Sequence, residues 1–256
     1  MSRGYADILL WAWLWLPVGP VLADLADTLE GVKPGIVAVG TLQATRQPPA
    51  VLLGTGFVVA DGRHVITNAH VLPARLDSEH QESLAVFTGS GAQGAARQAT
   101  RILVDEVHDL ALLRIGGDPL PALRLAPGDG VREGQEIAFT GFPIGMVLGL
   151  YPVTHRGIVA AISPVVLPAH HSGQLDAAQI RRLRTRFDVY QLDATAYPGN
   201  SGSPLFDPRS GEVLGIVNLV FVKAGKENIL KDPSGIAYAI PVRHARELLR
   251  KGLGEP

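Results

Sequence analysis

Three short stretches of this chain hold the residue types that nucleophilic catalysis needs. Ser201 lies in Tyr197-Pro198-Gly199-Asn200-Ser201-Gly202-Ser203-Pro204. Glycines on both sides let the backbone bend sharply and approach another molecule closely. In such a turn the amides of Gly199 and Ser201, and of Asn200 between them, can hold the oxyanion that forms when a serine attacks a carbonyl. A serine hydroxyl is a weak nucleophile by itself. It needs a base, and an imidazole base needs an orienting carboxylate. His70 in Thr67-Asn68-Ala69-His70-Val71 and Asp109 in Val107-His108-Asp109-Leu110-Ala111-Leu112-Leu113-Arg114-Ile115 supply both types.

Each residue has a bland alternative. Gly-Asn-Ser-Gly clusters are common in turns, and His70 is one of eight histidines. Asp109 has a rival in Asp105. A buried aspartate ahead of the apolar run Leu110-Ala111-Leu112-Leu113 is costly without a partner such as an imidazole N–H, which favours Asp109. His108 reads as a neighbour only. The serine elbow G-x-S-x-G of α/β-hydrolases does not fit, because its fifth position is Ser203 and no strand–elbow–helix context follows. His170-His171 has no nearby ligand set and reads as polar loop, so no metal is expected.

The elements that must position these residues are short strands. Residues 32–42, 51–59, 64–67, 84–88, 98–105 and 110–115 carry strand patterns, with an Asp61-Gly62 hairpin turn, a loop at 43–49 and a Gly-rich turn at 89–94. Residues 118–130 read as a linker. A second set follows at 135–141, 153–162, 189–192, 204–206, 212–221 and 235–240. Many short strands between turn signals mark an all-β chain of barrels or sandwiches. Residues 24–29 form a short amphipathic lead-in. Residues 241–251 read as a terminal helix, with Pro241 at its start and Gly252 past its end. The stretch 163–187, with a helical pattern and four arginines over 176–186, reads as an enlarged surface loop.

Three blocks, Thr67–Val71, His108–Ile115 and Pro198–Pro204, in the order His, Asp, Ser, resemble the active-site blocks of trypsin-like serine proteases, most closely the HtrA/Deg branch. Gly141-Phe142-Pro143-Ile144-Gly145 and residues 235–241 also resemble HtrA-type segments, so the likeness runs from about residue 31 to 241. It implies two packed antiparallel six-stranded barrels, about 31–118 and about 131–243, with His70, Asp109 and Ser201 in the cleft between them. It further implies a serine endopeptidase acting on protein or peptide substrates, unfolded or damaged envelope proteins among them, with no cofactor. The competing expectation is a peptide-binding protein on the same fold that does not cut.

Three further expectations rest on the resemblance. Thr195, Ala196, Val217, Asn218 and Leu219 are placed around the substrate pocket. None is acidic, which points to a small or medium aliphatic side chain before the cut bond. Asp193 would matter only if its strand turned it inward. Ser203 departs from the commoner glycine and resembles the form seen in glutamyl-endopeptidase-like relatives. Asn200 stands where trypsin-like zymogens carry an aspartate that pairs with a newly cut amino terminus. An amide cannot form that ion pair, so activation of that kind is not expected.

Composition sets the outer limits. The 256 residues are 46% hydrophobic and 18% charged with net charge −1, which suits a globular core and provides no field for nucleic acid. There is no cysteine. Arg3, the apolar run from Ile8 to Leu16, Pro17 and Val21-Leu22-Ala23 read as a secretory signal over 1–23, with the mature chain at 24–256 and a periplasmic or secreted location. An uncleaved membrane anchor is the alternative. No PDZ domain of the kind many HtrA relatives carry is expected after the terminal helix.

Overall fold

The structure is a computed structural model that describes residues 24–128, 130–143, 149–164, 187–219 and 236–254. The expected signal segment, His170-His171, the helical pattern at 176–186 and Ile144-Gly145 lie outside the described residues. Helix α1 (Leu25–Val32) opens the described chain. The Asp24 side chain accepts from the Leu25 amide at 2.6 Å, and Asp27 reaches back to the Asp24 amide, a capping box built from two aspartates. The expected boundary at residue 29 is therefore too early. The helix runs to Val32, a 3-10 turn over Lys33–Gly35 follows, and the first strand begins at Ile36. Pro34 sits in the first turn of that segment, where its missing N–H costs nothing.

Twelve strands form two closed antiparallel barrels. The first holds β1 (Ile36–Leu42), β2 (Ala50–Val59), β3 (His64–Asn68), β4 (Ser83–Thr88), β5 (Ala95–Asp105) and β6 (Leu110–Ile115), ordered β1-β2-β3-β6-β5-β4. The second holds β7 (Glu136–Gly141), β8 (Val153–Pro164), β9 (Asp188–Asp193), β10 (Pro204–Phe206), β11 (Val213–Asn218) and β12 (Ile236–Pro241), ordered β7-β8-β9-β12-β11-β10. The two orders are the same permutation. This is the two-barrel, chymotrypsin-like fold expected from the sequence. Closure leaves neither sheet an open edge.

Strand periodicity explains how the barrels pack. Val37 and Val39 of β1 join Val58, Val65, Val86 and Leu113 in one apolar cluster. Ile36 and Ala38, on the opposite face, join a larger cluster that runs from Phe57 and Leu112 into Phe139, Leu205 and Ile216 of the second barrel. Side chains alternate across a strand, so β1 is buried on both faces and serves both cores.

Two turns differ from expectation. The β2–β3 connection uses Ala60 to Arg63, because Val59 pairs with His64, and the Asp61 carboxylate fastens it by accepting from the Arg63 amide at 3.0 Å and meeting His64 Nδ1 at 2.7 Å. Helix α2 (Val242–Leu253) runs past Gly252 and stops at Gly254, whose left-handed backbone (φ 72°) lets its N–H close the last turn. This helix follows the second barrel but lies back across β5 and β6 of the first, burying Val242, Ala245 and Leu248.

The 43–49 loop is tied down by charge. Arg46 contacts Glu82 Oε1 at 2.8 Å and Thr41 Oγ1 at 3.0 Å, and the Asp77 amide donates to Glu82 Oε2 at 3.0 Å. The Asp77 amide first, then the Thr41 hydroxyl and Arg46, pull the Glu82 carboxyl down to about 2. A folded-state value below the unfolded one stabilises the fold fully above 4.5, and this contribution disappears as the pH falls towards about 2. Urea denaturation of the parent chain and Glu82→Gln should show the parent's advantage shrinking across that window. An advantage that stays constant with pH contradicts the assignment.

Candidate active site

The 105–109 turn comes first, because it sets the aspartate. Asp105 Oδ1 accepts from the amides of Val107 at 3.0 Å and His108 at 3.1 Å, and Oδ2 meets His108 Nδ1 at 2.6 Å. Burial pushes the Asp105 carboxyl up, but the bonds from His108 and Val107 outweigh it and leave it below the ordinary value. Asp105 is thus the organiser of the turn. Asp109 follows with φ 55°, a left-handed backbone uncommon outside glycine, and is fully buried.

Asp109 is held on every side. Its carbonyl accepts from the Ala69 amide and from Asn68 Nδ2, each at 3.0 Å. Oδ1 accepts from the His70 amide at 3.0 Å. Oδ2 lies 2.6 Å from His70 Nδ1 and accepts from Asn218 Nδ2 at 2.7 Å. His70 sits in a 3-10 turn (Ala69–Val71) directly after β3, with its ring partly exposed. A carboxylate at Nδ1 places the proton there and leaves Nε2 as the acceptor of a neutral imidazole.

Ser201 is presented by a turn before β10. The Asn200 amide donates to the Tyr197 carbonyl at 3.0 Å, and the Ser203 amide to the Asn200 carbonyl at 3.0 Å. Gly202 N–H and Val217 O, and Val217 N–H and Ser203 O, pair at 2.9 Å each. The amides of Gly199 and Ser201 have no such acceptor within the turn. Asn200 is therefore not free to serve as an oxyanion donor, because its N–H closes the turn. The Asn200 side chain is fully buried, and among the described residues neither of its amide atoms has a hydrogen-bond partner.

Thr55 joins this turn to the first barrel. Its amide donates to the Ser201 carbonyl at 2.9 Å, and its hydroxyl donates to the Gly199 carbonyl at 2.7 Å while accepting from the Phe142 amide at 2.9 Å. Thr67 Oγ1 in turn donates to the Thr55 carbonyl at 2.7 Å. Sequence reasoning missed Thr55 and Asn68. The signal was present in Gly54-Thr55-Gly56, where two missing side chains mark a close approach. Among the described residues no hydrogen bond joins His70 Nε2 to Ser201 Oγ. Such bonds are often long without substrate and tighten when it binds.

The expected pocket residues divide. Thr195 and Leu219 are half-buried, and Ala196 is at the edge of burial. Val217 belongs to the core, and Asn218 is fully buried with its amide on Asp109. These two do not offer side chains to a pocket, because the strand alternation of β11 turns one to the core and the other to the aspartate. Asp193 is exposed.

A family model described as trypsin-like peptidase domain matches residues 54–216. The chain belongs to that family. Its relatives include mitochondrial serine protease HTRA2 of Bos taurus, 32% identical over 89% of this chain and 43% of that protein. A probable periplasmic serine endoprotease, DegP-like, of Halomonas elongata is 30% identical over 77% of this chain and 34% of that protein. The chain spans less than half the length of these two relatives. Among solved structures, the HtrA-type protease AlgW with a decapeptide matches with TM-score 0.65 and 22% identity, covering 91% of this chain and 68% of that one. The family match establishes a trypsin-like peptidase domain, and the likeness to AlgW agrees with its two-barrel fold.

Gly202 is tightly constrained in this trypsin-like turn. Its φ is 88°, and a Cβ there would lie 2.0 Å from the Thr55 carbonyl oxygen. Gly202→Ala should destabilise the fold by more than about 1 kcal/mol. A thermal melt matching that of the parent chain would show that the turn is not clamped against Thr55.

Proposed function

We propose that this chain is a serine endopeptidase that hydrolyses peptide bonds through His70, Asp109 and Ser201. The observation that carries the reading is the 2.6 Å contact of His70 Nδ1 with a fully buried Asp109, in a chain whose Ser201 turn leaves the Gly199 and Ser201 amides without an acceptor among the described residues. Ser201 Oγ attacks the peptide carbonyl carbon and gives its proton to His70 Nε2. Asp109 stabilises the imidazolium and fixes its orientation. The Gly199 and Ser201 amides bind the oxyanion. Collapse of the tetrahedral species expels the amine, which takes the proton from His70. Water then repeats the sequence and releases the acid.

Several observations support the finer details. The neighbour structure of AlgW was solved with a decapeptide, in line with protein and peptide substrates. The DegP-like relative carries a periplasmic name, which fits a signal segment over 1–23 and a periplasmic or secreted protease clearing unfolded envelope proteins. The exposed Asp193 and the uncharged Thr195 and Ala196 support cleavage after small or medium aliphatic residues, with loose selectivity of about 1–3 kcal/mol between similar side chains.

A fluorophosphonate should label the parent chain at Ser201 and leave Ser201→Ala unmodified. The same variant should lose nearly all cleavage of an unfolded protein while keeping its melting temperature. Cleavage by the parent should fall as the pH is lowered, since a protonated imidazole cannot accept the serine proton. A folded parent chain that binds peptides but neither reacts nor cuts would establish the binding-protein alternative. Sequencing the fragments tests the pocket, and a strong excess of cuts after Lys, Arg or Glu overturns the aliphatic preference.

A further inference from the structure

His108 and Asp109 are adjacent in sequence but look in opposite directions. Asp109 turns into the site. His108 turns out of the turn and stacks on His244, with ring centroids 3.8 Å apart and planes 22° from parallel. Phe187 stands edge-on to both rings, 4.8 Å from His108 and 5.3 Å from His244. His244 lies in the first turn of α2, the helix that returns from the second barrel to lie across β5 and β6. The His108 ring cannot swivel within this stack, because its Nδ1 is held by Asp105 Oδ2 at 2.6 Å. The turn is thus gripped on one side by α2 and on the other by the donors to Asp109.

A left-handed backbone at an aspartate is sparsely populated and persists only where its surroundings over-determine it. The hydrogen bonds of Asp105 and of the Asp109 carbonyl do part of this. The imidazole stack is the contact that anchors the turn to α2. Burial first, then the neighbouring His108 and Arg243, push His244 down to about 4, with Asp105 and Glu247 opposing, so His244 is a neutral ring. Among the described residues its buried Nε2 has no hydrogen-bond partner, so what the ring contributes here is its face.

We propose that His108 and His244 are positioning residues, an aromatic clamp that holds the 105–109 turn against α2 and so sets the orientation in which Asp109 meets His70. The proposal rests on the endopeptidase reading above. It gives a residue far along the chain from the site, on the terminal helix, a role in the rate of the chemical step.

The test compares the parent chain with His244→Ala, His244→Phe and Leu248→Ala. Leu248 is buried on the same helix and serves as the control for loosening α2 while leaving both imidazole rings in the chain. With a dye-labelled unfolded protein as substrate, His244→Ala should lower kcat by about tenfold to a hundredfold, the scale on which small misplacements of catalytic groups act, and leave KM unchanged. The acid limb of its pH–rate profile should move to lower pH, since a misaligned Asp109 stabilises the imidazolium less. The low-field proton resonance of His70 Nδ1–H should weaken. His244→Phe keeps the stacking face and should restore all three. Parent-like kcat, acid limb and resonance in His244→Ala overturn the clamp, as does a loss no larger than that of Leu248→Ala at an equal drop in melting temperature, or failure of phenylalanine to rescue. If the parent chain neither reacts with a fluorophosphonate nor cuts, the endopeptidase reading fails instead, and the His70 resonance, which needs no reactive serine, still decides the clamp.

Discussion

A buried aspartate is the constraint around which this molecule is assembled. Asp109 is wholly removed from water, and an unpaired carboxylate there would be prohibitive. Its two side-chain oxygens are satisfied by His70 from the first barrel and by Asn218 from the second. Removing one partner from such a buried arrangement costs about 3–5 kcal/mol, against about 0–1 kcal/mol for exposed pairs such as Arg156–Glu136. The carboxylate therefore acts as a pin between the barrels. The same bonds that make it tolerable in the interior fix the imidazole's tautomer and plane, so stability and the proposed chemistry have one cause.

The nucleophile turn is fastened by a second, neutral set of bonds. Thr55 reaches across from β2 with its amide on the Ser201 carbonyl and its hydroxyl on the Gly199 carbonyl. Occupying these carbonyls fixes the peptide units they share with the Asn200 and Gly202 amides, and so the backbone on either side of the Ser201 amide. Each neutral hydrogen bond contributes only about 0.5–1.5 kcal/mol net, but together they define a backbone shape that glycine at 202 makes possible. Helix α2 adds a third tie by returning to the first barrel after the second is complete. The residues of the site belong to different barrels, and closure of the first barrel alone would leave the His70–Asp109 pair without Asn218 and Ser201.

Much of this was legible in the sequence because the relevant signals are local. Strand β6 at 110–115 reads directly from a continuous apolar run, and β10 at 204–206 from its place after a Pro-Gly turn. Boundaries went astray where a side chain or a glycine changes the local rule. The helix capped at its start by Asp24 runs past residue 29 to Val32, the Asp61 carboxylate fastens a wider hairpin turn, and Gly252 is tolerated inside the last turn of α2 while Gly254 ends it. The residues of the site were legible as types in an order, since serine, histidine and aspartate chemistry leaves few combinations.

What the sequence could not convey is direction across space. Asn218 was legible as a polar residue in an apolar strand, but only barrel closure turns its amide onto Asp109 and away from a substrate. Asp109 was favoured over Asp105 only by the apolar run that follows it, and the turn gives the two their distinct tasks, with one capping the backbone and the other facing His70. Asn200 was a possible donor until the turn closed through its N–H. His108 was a neighbour of no consequence until α2 brought His244 against it from the far end of the chain. Composition and periodicity determine which residues must be buried and which strands must form, because those depend on a residue and its near neighbours. The pairing of buried polar groups depends on which distant segments meet, and that is settled only when both barrels and the helix have packed.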